Sequence, residues 1–164
     1  MARDSGPMDA VVATVPETDQ IEYLRQVLAI PSAGGEEGEL ARFVTRSMQA
    51  MGIDTALQDW LPERPGVVGR IPGSGHGPSL MLLAHLDVPS LASGWTRDPF
   101  SPLIKGGRVY GAGVRDMKAG LAAMVMAMRA VRAARVPLRG DLLFVAVPGH
   151  MEQGSAQSAC STLG

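Results

Sequence analysis

The sequence predicts an α/β fold with a largely parallel central sheet and helices on both faces. Three observations carry that expectation. Two short apolar runs, "LMLLAHLD" ending at Asp87 and "DLLFVAV" from Asp141 to Val147, read as buried strands. Between them "MKAGLAAMVMAMRAVRAARV" reads as a helix, with Ala, Met and Val on its buried side and Arg129, Arg132 and Arg135 towards its exposed end. Strand, long loop, helix and strand in that order form a βαβ crossover, whose strands pair in parallel.

The earlier elements follow in chain order. Residues 1–17 mix Pro, Gly, Asp and Thr without periodicity and read as a loose leader. A helix is predicted in "ETDQIEYLRQVLAI", capped by Thr18 or Asp19, with Ile21, Leu24, Val27 and Leu28 on one face and Pro31 as its stop. In "SAGGEEGELARFVTRSMQAMG" the acids fall in the first turn, Leu40, Phe43, Val44 and Met48 form an apolar stripe, and Gly52 ends a second helix. "VVGRIPG" and "SLMLLAHLD" read as strands joined by the turn "PGSGHGPS", where His76 is a turn residue. Past Pro89 a Gly- and Pro-rich stretch, long for an idle loop, holds a short strand at "RVYG". The methionines of the following helix are core filler. Pro137 and Gly140 break the chain before the last strand, and residues 156–164 read as an irregular tail.

Bulk properties narrow the function. At 164 residues and 46% hydrophobic the chain has the size and core of one ordinary domain. Lys and Arg total 15 against 16 Asp and Glu, so the net charge of -1 gives no broad attraction for nucleic acid or an anionic membrane. Neither is expected as a partner. The single cysteine, Cys160, forms no internal disulfide and has no base beside it in sequence. No apolar run approaches the roughly 18 residues of a membrane span, and the start lacks the apolar centre of a signal peptide, so a cytoplasmic location is expected.

The chemistry gathers at strand ends. In a strand, residues two apart share a face, so Asp87 can reach the His85 ring nitrogen turned away from any bound partner, the arrangement of an oriented metal ligand. On this stretch alone, a core histidine capped by an acid fits as well. Ligands of open α/β sheets collect at the carboxyl ends of strands. His85 and Asp87 lie there, with Asp116 in the loop feeding the long helix and His150 and Glu152 after the last strand. Taken singly, Asp116 reads as a helix cap and Glu152 as a solvated acid. Together, one histidine and two carboxylates suit zinc, and Asp116 has two oxygens with which to bridge two ions. "GAG" at Gly111–Gly113 is not a dinucleotide fingerprint, because no glycine stands at position 116.

"LLAHLDVP", "WTRDPFSP" and "GGRVYGAGVRDMKAGLAAMVMAM" resemble the zinc exopeptidase and amidohydrolase family of acetylornithine deacetylase, succinyl-diaminopimelate desuccinylase, aminoacylase and carboxypeptidase G. The likeness runs from about Thr18 to Ser155. It implies a partial catalytic domain over residues 18–155, without the family's dimerisation domain. By this resemblance His85 binds one zinc, Asp87 is the catalytic residue that orients it, Asp116 bridges two zincs and Glu152 is a further ligand, with cobalt as an alternative metal. A non-proline cis peptide is implied at Asp116–Met117. The implied reaction is hydrolysis of an amide in an N-acyl amino acid or small peptide. In it paired cations acidify a shared water and polarise the scissile carbonyl, while a glutamate moves the proton.

The chain departs from the family in two places. Where the family shows Asp-Glu-Glu before a glycine, this chain has "HMEQGS", which leaves Met151 in the place of the general base and His150 in the place of the preceding acid. A thioether cannot accept that proton. The family's further acidic ligand and final histidine are not found in the 164 residues, which leaves two protein donors per zinc, fewer than the three usual for a catalytic site. The expectation is therefore weak metal binding and no turnover by these residues alone, with self-association through an exposed sheet edge. The alternative is a non-catalytic remnant acting as a binding module.

Overall fold

A computed structural model describes residues 6–91 and 93–151. Their elements are α1 (Pro7–Val12), α2 (Glu17–Ala29), α3 (Gly38–Ala50), β1 (Asp54–Leu61), β2 (Arg64–Ile71), β3 (Leu80–His85), β4 (Leu103–Lys105), β5 (Arg108–Tyr110), α4 (Ala119–Ala133) and β6 (Leu142–Val147). One sheet has the order β1-β2-β6-β3, and β4 and β5 form a separate antiparallel pair.

The crossover pairs as expected. β3 and β6 are parallel, in a register that sets His85 beside Val147, so the loops leaving both strands start at the same end of the sheet. The sheet as a whole is mixed rather than largely parallel, because β1 and β2 form a hairpin and β2 lies antiparallel to β6. β2 and β3, joined by the "PGSGHGPS" turn, are not neighbours; β6 inserts between them. The turn is instead tied to the approach to β6, where Ser74 and His76 donate their amides to the carbonyls of Leu138 and Arg139 at 2.9 Å each.

The core lies on one face of this sheet. Val67 and Ile71 from β2, Ala84 from β3, and Leu142, Phe144 and Ala146 from β6 meet Val27, Leu40, Val44, Met48, Leu121 and Val125 from α2, α3 and α4. α3 packs on β1 and β2, α4 on β3 and β6, and α2 lies across α3 and α4. The opposite face, which the sequence led us to expect under helices too, carries none of them among the described residues. Met81 and Leu83 point that way and are 46% and 47% exposed. The apolar run of β3 resembled a strand buried twice over, but only alternate residues meet the helices. At Gly69 the tip of the Met48 side chain fills the space a Cβ would take, with Cε 2.5 Å from that position.

Several boundaries differ from the sequence reading. The segment read as a loose leader contains α1, and Val15 beside it is buried in the core. α2 begins after Pro16 without a side-chain cap, so neither Thr18 nor Asp19 fills that role; Asp19 instead pairs with Arg129 of α4 at 2.7 Å. β1 is absent from the sequence reading, since most of its residues are exposed and no clean alternation marks it. α4 is shorter than the run that predicts it: Val114–Lys118 form an irregular turn in which Asp116 and Met117 have non-helical backbone, Asp116 extended at φ -140° and ψ 97°. The Asp116–Met117 peptide is cis. Among the described residues no helix is long and apolar enough to cross a membrane.

Phe144 is fully buried at the centre of the core. Phe144→Ala is expected to lower the urea unfolding free energy by about 3–5 kcal/mol, the cost of a large buried cavity. A loss under about 1 kcal/mol would contradict the packing described.

Candidate metal centre

Three loops meet at the carboxyl end of the β3–β6 pair. The first is the end of β3 itself, where His85 is buried and Asp87 follows in a segment fixed by two backbone bonds: Leu86 N–H to the carbonyl of Val147 and Val88 N–H to that of Ser32, both 2.9 Å. The second is the turn before α4, whose Gly113 sits at φ 73° with its α-carbon tight against Val88; a Cβ there would lie 2.3 Å from Val88 Cγ1. Only glycine meets both demands at low cost. The third is the Gly149–Met151 turn after β6.

Asp87 joins the first loop to the third. Its carboxylate accepts the amide of His150 at 3.0 Å on Oδ1 and that of Met151 at 2.6 Å on Oδ2. Its own carbonyl accepts from Nδ1 of His85 at 2.9 Å. Burial alone would raise the Asp87 pKa, but the hydrogen bonds from His85 and from the Met151 and His150 amides outweigh it and hold the carboxyl down at about 2. Asp87 orients His85 through its backbone more closely than through its carboxylate, since Nδ1 lies 3.5 Å from Oδ1. Sequence spacing could not reveal that division of labour.

That contact fixes the tautomer. A carbonyl oxygen only accepts, so Nδ1 carries a proton and the Nε2 lone pair of the neutral ring points outward. Nε2 faces Oδ1 of Asp116 at 3.0 Å. Two lone pairs at that distance require a positive centre between or beside them, either a second ring proton or a metal cation. Without metal, burial would lower the His85 pKa, but the Asp87 and Asp116 carboxylates outweigh it and raise it above the ordinary value. A cation with bonds of about 2.0–2.2 Å to nitrogen and oxygen spans such a gap, so the donor pair fits a zinc-like ion. The Asp116 side chain is 61% exposed, leaving its other oxygen accessible from solvent.

The structure thus brings together His85, Asp87 and Asp116. Glu152 lies outside the described residues. Among the described residues no group of three His, Cys, Asp or Glu side chains is gathered as a metal-holding cluster. For His150 the sequence leaves two readings open, a substitute base or ligand and a plain loop histidine; its ring stacks on that of His85 with centroids 4.7 Å apart at 26°. Lys118 carries no role in the sequence reading. It is buried, which pulls its ammonium down to about 8, and Nζ donates to the Ile30 carbonyl at 2.5 Å. No sequence signal separates that lysine from a solvated one at a helix start.

Comparison with known proteins gives a consistent picture. Residues 81–158 match the model of peptidase family M20/M25/M40. The succinyl-diaminopimelate desuccinylase of Gluconobacter oxydans (strain 621H) is 34% identical over 128 residues, covering 76% of this chain and 33% of its own length. The di-peptidase Dug1p from Saccharomyces cerevisiae shares the fold with a TM-score of 0.81 at 16% identity, over 96% of this chain and 38% of its own. The Bacillus subtilis YXEP protein, described as a dinuclear metal binding peptidase from the M20 family, aligns with a TM-score of 0.61 at 21% identity over 88% of this chain and 38% of its own. The chain spans about a third of the length of the relatives it matches.

The Asp87 carboxylate makes stability depend on pH. Its folded pKa of about 2 lies below the ordinary 3.8, so its stabilisation is present in full above the unfolded value and is lost as pH falls through the folded one. Asp87→Asn is expected to cost about 2 kcal/mol at pH 7, and the gap to the unsubstituted chain should close as pH falls from about 4 to 2. A pH-independent gap in urea unfolding would contradict the assignment.

Proposed function

The chain belongs to peptidase family M20/M25/M40 through residues 81–158, and from that premise we propose that it forms part of a zinc-dependent hydrolase of amide bonds in N-acyl amino acids or small peptides. The observation that carries the reading is the 3.0 Å approach of His85 Nε2 to Asp116 Oδ1, with the other ring nitrogen committed to Asp87. The names of the relatives, a desuccinylase and a di-peptidase, both describe cleavage of a carbonyl–nitrogen bond and support the reaction class. A dinuclear centre is supported by the description of the YXEP protein.

In this reading His85 and Asp116 would hold one ion, and Asp116 with Glu152 would hold a second; zinc is the metal proposed, with cobalt as a substitute. The bound metal supplies a water acidic near neutral pH and polarises the scissile carbonyl. The chain's own residues do the rest. Asp87 keeps the His85 ring in one tautomer and one orientation, which preserves a lone pair for coordination. His150 covers one face of that ring and leaves its edge towards Asp116. Met151, aligned with the family's general base, carries a thioether that accepts no proton.

The proposal extends to the polypeptide of these 164 residues as such, which is expected to bind metal weakly and turn over no substrate by itself. A cytoplasmic setting belongs to the same reading. A second reading, a binding module, is favoured by β3: it closes the described sheet on one side and exposes Leu80, Met81 and Leu83. Such an edge offers backbone pairing to another strand, including one from a second copy. Concentration-dependent size-exclusion without metal uptake would favour it.

Cobalt titration by calorimetry and visible absorption tests the first reading, with N-acetylated amino acids assayed in parallel. Uptake should release protons and weaken as pH falls below the raised His85 pKa, and His85→Ala should abolish it. Uptake unaffected by His85→Ala, or turnover by the 164 residues, would contradict the proposal.

A further inference from the structure

Glu37 is fully buried at the entrance to α3, and its carboxylate does not cap that helix. An acid before a helix ordinarily stays near the helix amides and water, where its charge is least costly. This one turns inward. Arg64, the first residue of β2, grips it with Nε at 3.0 Å from Oε2 and an Nη2 at 2.5 Å from Oε1. Oε1 also accepts the amide of Gly149 at 3.3 Å. Gly149 opens the turn whose next two amides, those of His150 and Met151, hold the Asp87 carboxylate.

We infer that Glu37 is a positioning residue for the metal centre: clamped by Arg64, it holds the Gly149–Met151 turn, which fixes Asp87 and through it the His85 ring. The segment leading to Glu37 reinforces this. Ile30 receives Lys118 from the Asp116 turn, Ser32 receives the Val88 amide, and Ala33 bridges Val88, so one stretch touches all three loops of the site. A purely stabilising role accounts poorly for the carboxylate, because a buried ion pair gains little net stability over apolar packing. Its consequence for metal binding rests on the proposed function above; its geometry does not.

The test separates reach from charge. Glu37→Asp keeps the charge for Arg64 but retracts the carboxylate by one methylene from Gly149, whereas Glu37→Gln keeps the length and an acceptor. We expect Glu37→Asp to shift the ring nitrogen resonances of His85 in the metal-free chain and to weaken cobalt binding about tenfold or more, as loss of a ligand's supporting partner does. Glu37→Gln should recover most of both. If Glu37→Asp leaves the ring resonances and cobalt affinity unchanged, or Glu37→Gln impairs them equally, the inference is overturned while the metal reading stands. Loss of folding in Glu37→Asp alone would assign the carboxylate to the core and also overturn it. If the unsubstituted chain takes up no cobalt yet Glu37→Asp shifts the ring resonances, the positioning role stands and the metal reading fails.

Discussion

The site depends on one carboxylate. Asp87 accepts two consecutive amides from the turn after β6 while its carbonyl accepts the His85 ring, so one residue joins two strand ends and sets an imidazole. The parallel register of β3 and β6 makes this possible by starting both loops at the same level. Amides bound to a buried carboxylate favour its charged form strongly enough to overcome desolvation. The anchor is therefore both geometric and electrostatic, and a neutral isostere reproduces only part of it.

From that anchor the chemistry follows. Once Nδ1 is committed to a carbonyl, the ring can present only Nε2 outward, and the irregular turn before α4 aims Asp116 at it. Gly113 lets that turn pass against Val88 without a side chain in the way. A lone pair opposed to a carboxylate is unfavourable unless a cation joins them, so a metal ion would compete with a proton for that place. The fold creates a demand for positive charge before any ligand is considered.

The sequence disclosed the parts of this arrangement that obey simple periodicities. The two amphipathic helices were legible because burial on one face leaves a regular trace, and the β3, β6 and α4 runs because they are continuously apolar between turn residues. β1 was not, because its residues are mostly exposed and its pairing is set by β2 across a bulged hairpin. Nor could the insertion of β6 between β2 and β3 be read from the turn that joins them. The site was legible as residue types at strand ends, His85, Asp87 and Asp116, and in the quoted blocks that carry the family resemblance. The Asp87 carbonyl contact, the stacked His150 ring and the inward turn of Glu37 are matters of tertiary direction. An acid in "GEEGE" looks like an ordinary first-turn acid until the hairpin bearing Arg64 folds over it.

The central claim is that His85 offers Nε2, and only Nε2, to a cation shared with Asp116. Nitrogen-15 spectroscopy of the imidazole rings during zinc addition tests it directly. The account predicts that the Nε2 resonance of His85 moves to a metal-bound position while Nδ1 keeps its bonded proton, and that Asp116→Ala suppresses the change. Zinc-induced movement of Nδ1 instead, or a His85 ring indifferent to zinc, would contradict it.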